Sequence, residues 1–418
     1  MRSATRLAPL ALAASLAGCG TFMPAAPAED EVLDGTIPGL TAQQLAVHAA
    51  GDREFGRLFG VPDGLGPIFA AQACASCHVG DGKGHPLFNL TRFGRFREGH
   101  FDPMRDQGGP QVQGRAILNY LAEVVPPGAT GVAKFTAPSV TGLGFLEAVD
   151  DATLLALADP GDADGDGISG RVQLVGPSDL LAEVARIELL FDPGEPRRNQ
   201  VIDGRYIGRF GKKASAINLV HQTVTAYQQD MGLTTDLIPE DPINPQVGNF
   251  AADDVPDPEV PSSVVSNVVF YLKTLRVPPR RNSDAAEVRA GEAVFDQIKC
   301  ARCHLPNLTT GPSRLPQLDR VTFHPFTDLL LHDMGPELDD GYTEGIAATS
   351  EWRTAPLWGI GLAERAQGGQ MFLLHDGRAQ SLRAAIEFHG GEAAASRAAF
   401  RALTPERQEQ LLAYLRSL

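Results

Sequence analysis

The chain is poor in cysteine and tryptophan, with five and two among 418 residues. Its lysines and arginines are also outnumbered by its acidic residues. The formal net charge is −15 and no basic stripe is present, which argues against nucleic acid as a partner because phosphate counterions could not be replaced. Beyond the N-terminus, no apolar run is long enough to span a bilayer. Hydrophobic and charged contents of 43% and 21% are those of a globular protein, and the length allows at least two cores.

Four of the five cysteines occur in two copies of one pattern. Cys74-Ala75-Ser76-Cys77-His78 and Cys300-Ala301-Arg302-Cys303-His304 each have a histidine directly after the second cysteine. This is the attachment pattern of c-type haem, in which both thiols add to the haem vinyl groups and the imidazole binds the iron. With ten histidines in the chain, both pairs would be followed by histidine by chance in roughly one of two thousand cases. The pattern predicts two covalently bound haem c groups, with His78 and His304 as proximal ligands.

Other uses of paired cysteines explain the sequence less well. A tetrathiolate zinc site or a pair of disulfides would not require the two histidines. A thioredoxin-like redox pair would need a surrounding βαβ pattern, which neither motif has. An apolar run, predicted as helical, precedes each motif, from Leu65 to Ala73 and from Val288 to Ile298.

The N-terminus is typical of a targeting segment. Two arginines precede an apolar run from Leu7 to Ala17, which is too short for a mature membrane span. The run ends in Leu16-Ala17-Gly18-Cys19, which resembles the lipobox of bacterial lipoproteins; an ordinary cleaved signal is the alternative. Residues 1–19 are therefore predicted as a signal peptide, and residues 20–40 as a flexible tether. We expect a periplasmic protein, held by the lipid on Cys19 alone, with the outer membrane as its site.

Helix signals dominate the rest of the chain. Helices are predicted at Thr41–Phe59, from Leu65 into Cys74, and at Asp151–Ala158, Ala214–Met231, Ser262–Leu275, Ser381–His389 and Thr404–Leu418. Residues 92–138 are predicted as loops with a few short strands. Pro278 to Arg281 is predicted as a linker between an N-terminal haem domain with a loop-rich insertion, residues 41–279, and a C-terminal domain, residues 284–418. The predicted fold class is mainly α, with two cytochrome c-like haem domains, loop-rich insertions and a few short strands.

An acidic loop predicts a second metal site. Asp162, Asp164 and Asp166 alternate with small residues and precede Gly167, as in the first half of a calcium loop. The twelfth position, where such a loop has a bidentate glutamate, is Gln173. The sequence leaves two interpretations of this loop open: calcium bound by the three aspartates, or a solvated acidic turn.

A family resemblance comes from longer runs. Phe326-Thr327-Asp328-Leu329-Leu330-Leu331-His332-Asp333-Met334-Gly335, Glu351-Trp352-Arg353-Thr354-Ala355-Pro356-Leu357-Trp358-Gly359, Leu374-His375-Asp376-Gly377-Arg378-Ala379 and His389-Gly390-Gly391-Glu392-Ala393 resemble the bacterial di-haem oxidoreductase family, also labelled thiol oxidoreductase or peroxidase. The chain is similar in turn to di-haem cytochrome c peroxidases and to the di-haem enzyme that matures a tryptophan-derived quinone cofactor. The resemblance covers nearly the whole mature chain and is densest after Cys300.

The resemblance implies ligands for the C-terminal haem. His389 corresponds to its second axial ligand, where the peroxidases have methionine and the quinone-maturing enzyme has tyrosine. Histidine there implies a bis-imidazole, low-spin iron with a lower potential than a His/Met pair. The helix pattern agrees, because His389 shares an apolar face with Leu382 and Ile386. His332 and His375 match residues that lie beside the haem without ligating it.

For the N-terminal haem, the resemblance implies a proton-transfer group. Asp230 corresponds to a glutamate that acts as acid and base in O–O cleavage, and His221 would lie on the opposite helix face. Lys212 or Lys213 stands where the peroxidases carry a tryptophan between the haems, so the electron path is unassigned. The sixth ligand of this haem is also open, with His85 and His100 as candidates.

These observations predict a cytochrome c peroxidase-like di-haem oxidoreductase. Electrons would pass from a C-terminal bis-His haem to a reactive N-terminal haem, with Asp230 as the catalytic residue. The expected partners are hydrogen peroxide and a small redox protein that donates or accepts electrons. The alternatives are a di-haem electron-transfer protein without substrate turnover and an electron-transfer partner in metal uptake. Thiol substrates are disfavoured because haem attachment uses every mature cysteine except the lipidated one.

Overall fold

The computed structural model describes residues 33–191, 198–248 and 253–418. The predicted signal peptide with Cys19 and the first part of the tether lie outside these residues. The described residues contain twelve α-helices and twelve short strands in five small sheets, so the fold is mixed rather than mainly α. None of the described helices is long and apolar enough to cross a membrane.

The helices are α1 (Ala42–Phe55), α2 (Cys74–Cys77), α3 (Leu143–Glu147), α4 (Asp151–Leu157), α5 (Asp179–Phe191), α6 (Leu219–Met231), α7 (Ser262–Thr274), α8 (Ala286–Gln297), α9 (Ala363–Ala366), α10 (Leu382–Glu387), α11 (Ala394–Ala402) and α12 (Pro405–Ser417). The strands are β1 (Ile68–Phe69), β2 (Leu90–Arg97), β3 (His100–Asp102), β4 (Arg115–Ala116), β5 (Gly131–Phe135), β6 (Gln173–Val175), β7 (Val201–Ile202), β8 (Arg205–Gly208), β9 (Leu308–Thr309), β10 (Thr322–Phe323), β11 (Leu331–Asp333) and β12 (Glu351–Arg353). All pairings within the five sheets are antiparallel, and the two larger sheets have the orders β3-β2-β5 and β6-β8-β7.

Local capping chemistry sets several helix starts. The Thr41 hydroxyl accepts a hydrogen bond from the Gln44 backbone amide, and the Gln44 side-chain oxygen accepts one from the Thr41 backbone amide, which is a capping box for α1. The hydroxyls of Ser381 and Thr404 cap α10 and α12 by accepting one backbone hydrogen bond each, from Ala384 and Arg407. The predicted starts of these three helices are confirmed, whereas α1 ends at Phe55 rather than at Phe59.

Two predicted helices need correction. No helix leads into Cys74, because Pro67 stands in the segment and Ile68 pairs with Ala116 as a strand. The helix predicted from Ala214 begins only at Leu219, since Ala214 has a φ of 52° and cannot continue an α-helix.

Two hydrophobic cores support the cavity described below. Helix α1 packs on α7 in the first core, and α8 packs on α12 in the second. The second core is drawn entirely from residues 288–418, but the first also takes in Leu308, Phe323, Leu329 and Trp358 from the C-terminal part. The domain boundary at residues 279–284 stays a prediction.

The end of the predicted tether is packed rather than flexible. Leu33 and Ile37 are buried, and the Ile37 backbone amide donates to the carbonyl of Thr274 in α7. Gly35 accepts a hydrogen bond from Arg276. The tether prediction is therefore wrong for residues 33–38.

Candidate functional site

Both cysteine motifs line one cavity of about 480 Å³. Cys74, Cys77 and His78 stand on one part of its wall, and Cys300, Cys303 and His304 on another. His389 and Asp230 also line it. The fold therefore brings the predicted ligands, the predicted attachment cysteines and the predicted catalytic carboxylate to one cavity.

Three histidines of the wall share one arrangement, in which Nδ1 lies within hydrogen-bond distance of a backbone carbonyl. The pairs are His78 with Pro138 at 2.8 Å, His304 with Phe326 at 2.9 Å and His389 with Ala385 at 2.7 Å. A carbonyl only accepts, so Nδ1 carries the proton and Nε2 keeps a lone pair. Burial lowers the pKa of His78 and of His304 to about 4 and also lowers the pKa of His389. All three imidazoles are thus neutral, which is the form that binds iron.

His304 and His389 face each other. Their ring centroids are 6.4 Å apart, with an angle of 44° between the planes. A metal ion held by two imidazole nitrogens at about 2 Å each would place the ring centroids about 6 Å apart. His389 lies just beyond α10, which ends at Glu387, and its bond to Ala385 continues the turn. The pair has the spacing of two axial ligands to one iron.

The four thiols are free and form no disulfide among the described residues. Burial raises the pKa of Cys74 and of Cys300 to about 12 and that of Cys77 to about 11. The four sulfurs do not converge into one metal-capable group within the described part of the chain; the group that contains Cys303 pairs it with Asp328 and His332. The tetrathiolate zinc alternative does not agree with this geometry.

Asp230 stands near the end of α6 with its carboxylate in the cavity wall. Gln111 Nε2 donates to Asp230 Oδ1 at 2.7 Å, a contact that sequence reasoning missed because Gln111 comes from a distant loop. Burial raises the pKa of Asp230, while the bond from Gln111 and the charge of Arg92 oppose that rise. His221, predicted on the other face of α6, is not among the lining residues.

His332 also lines the cavity, but its nitrogens are engaged. Its Nε2 lies 2.8 Å from Asp328 and its Nδ1 2.7 Å from Glu392. Burial opposes a charge on this ring, but hydrogen bonds with Asp328, Cys303 and Glu392 raise its pKa to about 12. With both nitrogens facing carboxylates, His332 has no lone pair for iron.

Trp352 is a cavity residue whose role sequence reasoning did not identify. Its ring stacks on His375, with centroids 3.7 Å apart and planes 7° apart, and its Nε1 donates to the carbonyl of Leu338. Lys213 Nζ lies 3.8 Å from the centre of the indole ring and donates to three backbone carbonyls, whereas Lys212 lines the cavity. The run from Glu351 to Gly359 carried part of the family resemblance, but nothing in it distinguished Trp352 from Trp358, which also lines the cavity.

Comparison with known proteins decides the family. The family model described as "Di-haem oxidoreductase, putative peroxidase" matches residues 129–418. The chain belongs to the di-haem oxidoreductase family. Haems are therefore the cofactors of this di-haem oxidoreductase.

Solved structures resemble the di-haem oxidoreductase only distantly. A hydrazine synthase structure from Kuenenia stuttgartiensis, pressurized with xenon, is 14% identical and has a TM-score of 0.40, with 100% of each chain covered. A MauG-like protein associated with microbial copper homeostasis is 13% identical and has a TM-score of 0.39, covering 93% of this chain and 92% of that chain. No curated protein sequence matches the chain. At such TM-scores neither structure carries an argument about this protein.

The donor set of the di-haem oxidoreductase fits two haems. Each Cys-x-x-Cys-His motif contributes two thiols and one neutral imidazole to the cavity, as covalent haem attachment requires. His389 adds a third ligand-competent nitrogen opposite His304. Neither His85 nor His100 lines the cavity, and His85 Nδ1 instead accepts from the Leu87 backbone.

The predicted calcium loop is only partly assembled. Asp162 and Asp164 converge with Asp159, whereas Asp166 pairs with Arg302 at 3.4 Å. Gln173 is buried in β6, and its amide nitrogen donates to the carbonyls of Lys213 and Glu344. If this di-haem oxidoreductase binds calcium there, Asp159 replaces Asp166 in the ligand set.

Proposed function

We propose that this protein is a periplasmic di-haem c-type oxidoreductase of the cytochrome c peroxidase type. The observation that carries the proposal is the asymmetry of the two iron sites. His304 faces His389 at ligand spacing, whereas His78 has no such counterpart: the other histidines of the lining, His332 and His375, each lie against a carboxylate. One iron would thus be saturated by protein and the other left open to a substrate.

The cysteine pairs and proximal histidines would hold the haems. Cys74 and Cys77 would form the thioether bonds of the N-terminal haem, and Cys300 and Cys303 those of the C-terminal haem. The haem irons, when bound, supply one-electron redox chemistry and a coordination position for a small oxidant. The carbonyls of Pro138 and Phe326 orient the proximal imidazoles through their Nδ1 protons.

Asp230 would move protons for peroxide reduction. Its carboxylate can take a proton from hydrogen peroxide that enters the cavity and return it to the departing oxygen. Gln111 holds Oδ1 by a 2.7 Å hydrogen bond, which fixes the direction of the remaining lone pairs. The raised pKa brings this carboxyl closer to neutral pH, where proton exchange is most effective.

Trp352 would provide the aromatic link in the electron path from the C-terminal to the N-terminal haem. It lines the cavity that both motifs share, and His375 and Lys213 fix its ring from two sides. The ammonium of Lys213 near the indole face disfavours a positive charge on that ring. Trp352 would therefore shorten the tunnelling distance rather than store an oxidising equivalent.

The cellular setting completes the proposal. The N-terminal sequence supports export and a lipid anchor at Cys19, and the net charge of −15 suits a basic electron-carrier protein as donor or acceptor. The rival function is electron transfer without turnover. The thioether of Met231, beside Asp230 in the cavity wall, favours it, because such a group can saturate an iron.

The spin state of the purified holoprotein tests the proposal. A high-spin ferric signal from one haem, perturbed by hydrogen peroxide, is the expected result, together with a low-spin signal from the other. Two low-spin signals that ignore peroxide would overturn the enzymatic function and leave the electron carrier. A near-infrared band of a thioether ligand that disappears in Met231→Leu would then identify Met231, rather than Met334, as the sixth ligand.

A further inference from the structure

Lys83, Lys212 and Arg353 are three of the six lysine and arginine side chains that line the shared cavity. They come from three separate segments: the loop after the first motif, the segment before α6, and strand β12. In the described ranges none of the three forms an ion pair with a carboxylate. The three cations therefore meet one largely apolar space with no carboxylate in direct contact, although Asp376 acts electrostatically on Lys83 and Lys212, and Asp328 on Arg353.

The polar contacts of these groups leave hydrogen-bonding capacity. Lys83 Nζ donates to the carbonyl of Leu374 at 2.6 Å. Arg353 donates from Nε to Gly211 at 2.9 Å and from Nη1 to Thr354 at 3.1 Å, which leaves Nη2 for another acceptor. No hydrogen bond of Lys212 Nζ is seen within the described segments. Together they offer several free N–H donors to the cavity.

Leaving this cluster without an anion is electrostatically unfavourable. Burial lowers the pKa of Lys83 to about 8 and that of Arg353 to about 10. Burial, and then the charges of Lys83 and Arg353, lower the pKa of Lys212 well below its usual value. A carboxylate that entered the space between the three side chains would raise their pKa values again and so stabilise their charged forms.

We infer that Lys83, Lys212 and Arg353 form a carboxylate-binding site that holds haem propionates, and this inference rests on the proposed function. Haem is apolar apart from two propionates on the edge away from its vinyl groups, which the cysteines bind. The cavity has matching surfaces, because its wall is mainly apolar and Lys83, Lys212 and Arg353 lie close enough to act on one another electrostatically.

The test uses the intact holoprotein with Lys212→Met and Lys83→Met as single variants. The readouts are the propionate bending band in resonance Raman spectra and the midpoint potentials of both haems between pH 5 and 9. We expect Lys212→Met to shift the bending band and to lower one midpoint potential, because an uncompensated propionate stabilises the ferric state. Lys212→Arg should keep the wild-type values. Lys134→Met removes the same charge from the exposed face of β5 and serves as the matched control.

Unchanged bands and potentials in both methionine variants, each carrying two haems, would overturn the inference. The inference is also overturned if the methionine variants lose the binding of added acetate but keep the wild-type bands and potentials, because the cluster would then bind a free anion. A Lys134→Met effect equal to that of Lys212→Met would also overturn it, since the effect would be one of net charge. Wild-type protein that contains no haem would instead contradict the proposed function itself.

Discussion

The imidazole rings of His304 and His389 lie 6.4 Å apart across the cavity, each anchored at Nδ1 by a backbone carbonyl. Neither ring can turn away without losing a buried hydrogen bond, which costs about 1–3 kcal/mol. The spacing is therefore built into the polypeptide and does not depend on a metal to draw the rings together.

Replacing His389 with alanine should convert one haem from low to high spin. The imidazole is removed from one side of the iron while His304 stays on the other, so the ligand field weakens. EPR and optical spectra of the ferric holoprotein measure the change. His100→Ala is the control, because His100 is exposed and outside the cavity wall, and its spectra should match those of the wild type. Two low-spin signals in His389→Ala would rule out this ligand.

Asp230→Asn should slow peroxide turnover by about 10²–10⁴-fold, the usual contribution of general acid–base catalysis. Asparagine still accepts the hydrogen bond from Gln111 but carries no proton to transfer. The wild-type rate should fall as the pH drops through the raised pKa of Asp230, because the base form is lost, and the variant should lack this dependence. Steady-state rates across pH measure both effects. An equal rate in the variant would remove Asp230 from the mechanism.

The stability of Asp230→Asn provides its own check. Burial disfavours the charged carboxylate in the folded state and so raises its pKa; wild-type protein above that pKa therefore carries a cost that asparagine removes. Near pH 7 the variant should unfold at the same urea concentration as the wild type or at a higher one. A large loss of stability would mean that a slower rate reflects damage to the fold.

Lys273→Met should lower the free energy of unfolding by about 3–5 kcal/mol, because it leaves a buried carboxylate without its cation. Lys273 Nζ on α7 lies 2.7 Å from Glu147 Oε2 on α3, with both side chains buried. The other oxygen of Glu147 accepts from the Leu219 amide at the start of α6, so the pair joins three helices beside the cavity. Urea unfolding measures the loss. Arg186→Gln, which breaks an exposed pair with Glu183, should change stability by at most about 1 kcal/mol.

Measuring the calcium content of the purified protein tests whether the acidic loop binds this ion. After chelation and re-addition, a loop that binds calcium should recover the ion, and Asp162→Asn should weaken binding because Asp162 is shared by the predicted and the observed clusters. Asp166→Asn should have less effect, since that carboxylate pairs with Arg302. Protein that neither retains nor rebinds the ion has only a solvated turn here.

Sequence reasoning succeeded where the determining interactions are local. Capping residues such as Thr41 and Thr404 act within one turn of their helices, so their effect can be predicted from neighbouring letters. The helix predicted before Cys74 failed for a non-local reason, because the residues around Ile68 pair with β4 far along the chain.

The site shows the same division. The attachment cysteines and their histidines form contiguous motifs, and the position of His389 followed from a helical period and a family resemblance. Gln111 and Trp352 reach the cavity through contacts between distant segments, and no local pattern marks them. Asp159 joins Asp162 and Asp164 because the turn folds back on itself, a detail of backbone geometry that residue spacing does not contain.

The central claim is that this chain carries two covalently bound haems, and intact-protein mass spectrometry tests it most directly. Protein matured in a host competent for cytochrome c assembly should have the mass of the polypeptide plus two haems after denaturation, and Cys74→Ala with Cys77→Ala should carry only one. A denatured wild-type protein with the mass of the bare polypeptide would contradict the account.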